Sequence, residues 1–162
     1  MPFQIYAQPP IPTNTELYEN PSHGIRILFP NTWDVLEYVD GVAFGSRFDN
    51  ASDRYVEAVD IVIAPTNASS LQQSVDLLLT HFNNSLNDFV LTESNLTSLA
   101  GREAQMLLYN YSDPTIGSTR TLAVVTLHEG NSFLITYSAK PEDFYGKLPI
   151  VQQMIDSFEI MN

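Results

Sequence analysis

The chain contains no cysteine, few cations and no long apolar run. Without cysteine there can be no disulfide framework, thiolate metal centre or thiol nucleophile. Only 7 Lys and Arg stand against 19 Asp and Glu, and a formal net charge of −12 sets up a field that repels polyanions. Nucleic acid is therefore not expected as a partner, and binding to an anionic membrane surface is disfavoured. Cations and basic protein surfaces are attracted. No stretch reaches the roughly 18 apolar residues that a membrane-spanning helix requires, so direct insertion of the chain into a bilayer is not expected. A Gly-x-Ser-x-Gly elbow is also missing, and His23, His81 and His128 lie far apart in sequence. Gly41 and Gly45 fall between predicted strands, so they do not form a phosphate loop at a helix start.

What the chain does contain is enough for one core. Its 162 residues are 44% hydrophobic and 11% aromatic, and a domain of that length buries about two thirds of its unfolded surface. Residues 1–16 read as a signal-peptide remnant or an extended spacer stiffened by Pro9, Pro10 and Pro12, ahead of a single domain over 17–162. Five Asn-x-Ser/Thr sequons, at Asn50, Asn67, Asn83, Asn95 and Asn110, have two readings. They are either polar loops rich in Asn and Ser or the acceptor sites of an exported glycoprotein.

The densest local instructions lie between Tyr18 and Trp33. Asn20-Pro21 and His23-Gly24 are turn dipeptides, Ile25 to Phe29 reads as a strand, and Pro30 ends it because proline cannot donate to a ladder. Trp33 to Tyr38 and Val42 to Arg47 form a predicted hairpin about Asp40-Gly41, and Tyr55 to Ala64 returns as a β-branched strand. Leu71, Val75, Leu78, Leu79, Phe82 and Leu86 recur at steps of four and three, which predicts a helix over 71–86 capped by Ser69-Ser70. Phe89 to Thr97 is extended and edge-like, Arg102 to Tyr111 alternates, and Arg120–Leu127 with Asn131–Ser138 form a hairpin through Glu129-Gly130. The continuous apolar run Leu122 to Val125 predicts a strand covered on both faces. Pro141-Glu142-Asp143 reads as the first turn of a second helix whose apolar face is Leu148, Val151, Met154, Ile155 and Phe158. The expected class is α+β, one mostly antiparallel central sheet with a helix packed on each face.

Tyr18, Asn20-Pro21-Ser22, a turn closing at Gly24, Ile25-Arg26-Ile27-Leu28-Phe29 and Pro30-Asn31-Thr32-Trp33 together resemble the opening motif of PsbP-like proteins. The resemblance continues through the helix from Leu71, Gly101-Arg102-Glu103-Ala104, the strand Ser132 to Ser138 and the closing Met154-Ile155-Asp156-Ser157-Phe158. It implies an α-β-α sandwich and a non-enzymatic exported domain. In oxygenic phototrophs PsbP is an extrinsic lumenal subunit of photosystem II that helps retain calcium and chloride, and other members are assembly factors. This chain departs from the plant subunit in lacking a basic N-terminal arm and in having only two lysines, Lys140 and Lys147. That departure speaks against a photosystem role, and the sequons and the proline spacer point instead to an envelope lipoprotein or secreted protein of a prokaryote.

Candidate chemistry is sparse. Asp49 and Asp53, with Glu57 and Asp60 after them, are hard oxygen donors suited to calcium but lack the glycine and bidentate glutamate spacing of an EF-hand. His128 beside Glu129 offers two ligands of a divalent site. Trp33, Tyr18, Phe29 and Phe44 are read as core in preference to a sugar platform. No catalytic residue and no cofactor is expected, calcium excepted. The function expected is protein binding or assembly at an envelope or membrane-associated complex. The alternatives are a structural or adhesive surface glycoprotein, a calcium-binding accessory protein, and a hydrolase, which would need a cleft holding a carboxylate or histidine of perturbed pKa.

Overall fold

The computed structural model describes residues 14–46 and 57–161. Strands β1 (Thr15–Asn20), β2 (Ile25–Pro30), β3 (Asp34–Tyr38), β4 (Gly41–Gly45) and β5 (Ala58–Pro65) precede helix α1 (Leu71–Ser85). Strands β6 (Asn87–Leu99), β7 (Arg102–Asp113), β8 (Gly117–His128) and β9 (Asn131–Ala139) follow, then helix α2 (Phe144–Ser157) and the short β10 (Glu159–Ile160). Seven strands make one antiparallel sheet in the order β3-β4-β5-β9-β8-β7-β6, and β1-β2-β10 make a second, three-stranded sheet. The expectation of a single sheet does not hold: β2 pairs with β1 and β10 and, among the described residues, has no partner in the large sheet. The β1 ladder begins at Thr15, opposite Pro30, inside the segment read as spacer.

Alternation along the middle strands distributes residues between two apolar clusters. Ala104 and Val124 join Val59, Ile61, Ile135 and Tyr137 in the larger one, to which α2 adds Phe144, Val151, Met154 and Ile155. Their neighbours Leu107, Tyr109, Ala123 and Val125 join Val75 and Phe82 of α1 in the smaller one. Successive strand residues point to opposite sides of a sheet. β8 is therefore apolar on both sides, as its continuous run requires.

Each helix is held at an end by a specific contact. Ser70 caps α1, its side chain accepting from the Gln73 N–H. α2 starts at Phe144, later than Pro141 predicts, because Pro141 to Asp143 form a turn in which both Asp143 and Phe144 N–H donate to the Lys140 carbonyl. Tyr137 then donates to the Phe144 carbonyl at 2.7 Å, with its ring edge-on to Phe144 at 4.8 Å. Pro149 sits in the second turn of α2 and removes one intrahelical bond. At the far end Ser157 accepts from the Leu28 N–H at 3.0 Å and donates to the Met154 carbonyl at 2.7 Å, which ties α2 to β2.

Two glycines are required for different reasons. Gly24 has φ +68° and closes the Asn20-Pro21 turn; its carbonyl accepts from the Met161 N–H at 2.7 Å. Gly41 is outside the left-handed region, but a Cβ there would lie 2.0 Å from the Ile61 carbonyl oxygen. The hairpin at Asp40-Gly41 is observed, with Tyr38 opposite Gly41. Close approach of β4 to β5 is what demands the glycine.

Candidate functional site

Asp49, Asp53 and Asn50 lie outside the described residues. Of the acids that follow them, Glu57 accepts from Ser46 Oγ at 2.6 Å and Asp60 accepts from Tyr38 Oη at 3.3 Å. Among the described residues no three His, Asp or Glu side chains converge as a metal site. His128 Nε2 lies 3.7 Å from Glu129 Oε2, His81 is exposed beside Phe82, and His23 is half-buried with Nε2 3.0 Å from the Val39 carbonyl. The Asn20 side chain accepts from the His23 N–H at 3.1 Å within the turn.

Sequons Asn67, Asn83 and Asn95 are exposed. Asn110 is half-buried in β7, and its Oδ1 accepts from Arg120 Nε at 3.0 Å. The corner aromatics are core: Trp33 is 6% exposed, and Phe44 sits 5.0 Å from Phe29 and 5.5 Å, edge-on, from Tyr18.

One titrating cluster has no counterpart in the sequence motifs. Asp60 alternates with the core residues Val59 and Ile61, so its side chain leaves on the other side of the sheet. Burial raises its carboxyl above the ordinary aspartate range, and the Tyr38 hydroxyl partly offsets that rise. Burial raises the Tyr38 phenol too, and the Asp60 charge adds to the effect. Tyr111 is raised by burial and then by Asp113, while the hydroxyls of Thr119 and Thr121 pull it back. Thr121 Oγ1 and Ser138 Oγ meet at 2.8 Å beside it. Asp60 is the perturbed carboxylate a hydrolase would need, but it does not line the cleft between α2 and strands β6 to β8.

Between α2 and the β6–β8 end of the sheet lies a cleft of about 490 Å³. Met106, Leu108, Leu122 and Val124 line it from β7 and β8, and Phe144, Leu148 and Ile155 from α2. Its polar wall is β6, where Glu93, Asn95 and Thr97 stand opposite Leu108, Met106 and Ala104. Gln152 and Asp156 complete the α2 side, with Gln152 Nε2 donating to Asp156 Oδ1 at 2.9 Å. Among the described residues β6 is last in its sheet, as its mixed polarity predicts, and Leu96 on it is 71% exposed. An apolar trough beside a free strand edge can hold a side chain and pair a main chain. Neither Glu93 nor Asp156 was singled out from the sequence as a site residue; only the strand order brings them to one cleft.

These elements define an α+β domain built on antiparallel sheet, with a cleft between the second helix and strands β6 to β8. A family model described as PsbP matches residues 13–160; the chain belongs to the PsbP family. Cyanobacterial PsbP (CyanoP) from Synechocystis superposes with TM-score 0.66 at 16% identity, covering 91% of this chain and 92% of that one. LpqN of Mycobacterium tuberculosis, described as involved in cell envelope biogenesis, gives 0.62 at 14% identity over 85% and 83% of the two chains. A Pseudomonas aeruginosa protein of unknown function gives 0.62 at 15% identity over 86% and 92%. At these identities the likeness is one of fold. Comparison with curated protein sequences gives no match.

Proposed function

We propose that this chain is a non-enzymatic, extracytoplasmic PsbP-family domain of a prokaryote that binds a protein partner and serves the assembly of an envelope or membrane-associated complex. The observation that carries the reading is the apolar cleft beside β6, the last strand of its sheet among the described residues. Family membership supports it, and so does the fold shared with LpqN, whose description places that protein in envelope biogenesis. Two lysines and a net charge of −12 disfavour docking through a basic surface, and with it a photosystem role. An α-β-α sandwich, one helix against each side of the large sheet, is part of the reading; the division of β8 between the α1 and α2 clusters supports it. Among the described residues no helix is long and apolar enough to cross a membrane.

The test is cross-linking of the tagged chain in its own cells, followed by fractionation. The expected result is recovery outside the cytoplasm, joined to a defined protein in fixed ratio. Cytoplasmic recovery, or a chain joined to nothing, overturns the reading. A second reading, a structural or adhesive surface glycoprotein, draws on the exposure of Asn67, Asn83 and Asn95. Glycan occupancy together with self-association in place of a partner would select it.

A further inference from the structure

β6 protects one half of its edge and leaves the other open. Its pairing with β7 slips between Asn87 and Val90 and again between Leu91 and Glu93, and such bulges turn an edge away from further pairing. From Glu93 to Leu99 the ladder is regular against Leu108 to Arg102. This half contains neither lysine nor proline, the residues that commonly blunt an edge, and residues 93–98 are exposed. Glu93, Asn95 and Thr97 share the face of Leu108, Met106 and Ala104, and so border the cleft. The charged side chains lining that cleft, Glu93 and Asp156, are both acidic. The cation at its Phe144–Tyr145 end, Arg120, is engaged by Asn110 and stacked 5.8 and 5.6 Å from those two rings.

Resting on the partner-binding reading above, we propose that Glu93–Leu99 and the adjoining cleft take an extended basic segment of the partner protein. Its main chain adds an eighth strand to the sheet. One apolar side chain enters the cleft, and Lys or Arg two residues to either side, on the same face, meets Glu93 and Asp156. A second copy of this chain is the poorer occupant, because each copy carries −12.

The probe is a fluorescein-labelled, end-blocked heptapeptide Thr-Lys-Thr-Leu-Thr-Lys-Thr, compared with the same peptide carrying Glu in place of Lys. Anisotropy measures binding at low salt, and amide hydrogen exchange locates it. The proposal expects saturable binding of the lysine peptide alone and slowed exchange at 93–99. It also expects an affinity loss of about tenfold or more in Glu93→Lys/Asp156→Lys, whose exposed positions leave the fold intact, as a melt verifies. Equal binding of the glutamate peptide, protection elsewhere, or no saturable binding overturns it. Slowed exchange at 93–99 that grows with protein concentration and needs no peptide also overturns it, in favour of a second copy. In the cell cross-linking, equal capture of one partner by wild type and the double variant removes this site and leaves the partner-binding reading standing. Capture of nothing by wild type removes both.

Discussion

Replacing Gly41 by alanine tests how closely β4 and β5 are pressed together. The added Cβ would sit 2.0 Å from the Ile61 carbonyl oxygen and 3.0 Å from both the Ile61 carbonyl carbon and Tyr38 Cε2. Ordinary contact needs about 3.4 Å, so the strands must part by roughly 1.4 Å at this point, against backbone that cannot rotate aside. The displacement falls on the ladder pairing Gly41 with Val62 and Val42 with Ile61, and both Val42 and Ile61 are fully buried. Loss of one or two ladder bonds at about 1 kcal/mol each, plus overpacking of about 1–3 kcal/mol, gives a destabilisation of about 2–5 kcal/mol. Gly24→Ala is the contrast, because its Cβ meets only the Met161 carbonyl oxygen at 3.3 Å and the cost is mainly the left-handed backbone, about 1–2 kcal/mol. Urea unfolding followed by far-UV circular dichroism measures both. A Gly41→Ala change within 0.5 kcal/mol, or one smaller than that of Gly24→Ala, would refute the close-approach reasoning.

Trp33→Ala should cost about 3–5 kcal/mol, since the indole is 6% exposed within the main cluster; that lowers the melting temperature by roughly 6–20 °C, and a loss under about 1 kcal/mol would remove Trp33 from the core. Asp60→Asn should stabilise the domain at pH 7. The folded carboxyl is raised above its unfolded value of about 3.9, so the folded state holds more proton between the two values and stability falls as pH rises through that window. Melts from pH 7 to pH 3 should show the gain of the variant vanishing below about pH 4; a pH-independent gain, or a loss at pH 7, would contradict the buried-carboxyl account. The calcium reading of Asp49 and Asp53 predicts a saturable rise in melting temperature, worth about 2.7 kcal/mol at a hundredfold excess over the dissociation constant. Asp49→Asn or Asp53→Asn must abolish that rise, and one matched by simple ionic strength leaves these acids as solvated surface.

Where a few adjacent residues decide an element, the sequence was a sufficient guide. β2 is bounded by Gly24 and Pro30, Ser70 is the α1 cap, and the β8–β9 hairpin turns at Glu129 and Gly130, φ +48° and +78°. The amphipathic stripes of both helices are the faces found packed. What escaped depends on pairing across the chain. β10 is two residues that take strand form only because Glu159 and Ile160 meet Arg26 and Ile25, helped by an Arg26 Nε to Glu159 Oε2 bond of 2.6 Å. Gly41 reads locally as a turn glycine, and its real constraint is the carbonyl of Ile61 on the next strand. The candidate site was less legible than the fold for the same reason. Asp60 looked like one more acid of a polar segment until β5 was placed against Tyr38, and the cleft exists only where β6 ends the sheet beneath α2.

The most direct test of partner binding at the β6 edge is photo-cross-linking in living cells from two exposed leucines. A photoreactive residue at Leu96, on the open half of β6, is compared with one at Leu77 on α1; the two leucines are 71% and 57% exposed. The account predicts a discrete adduct with one partner protein from Leu96 and none from Leu77. An adduct from Leu77 alone, or from neither position, would contradict it.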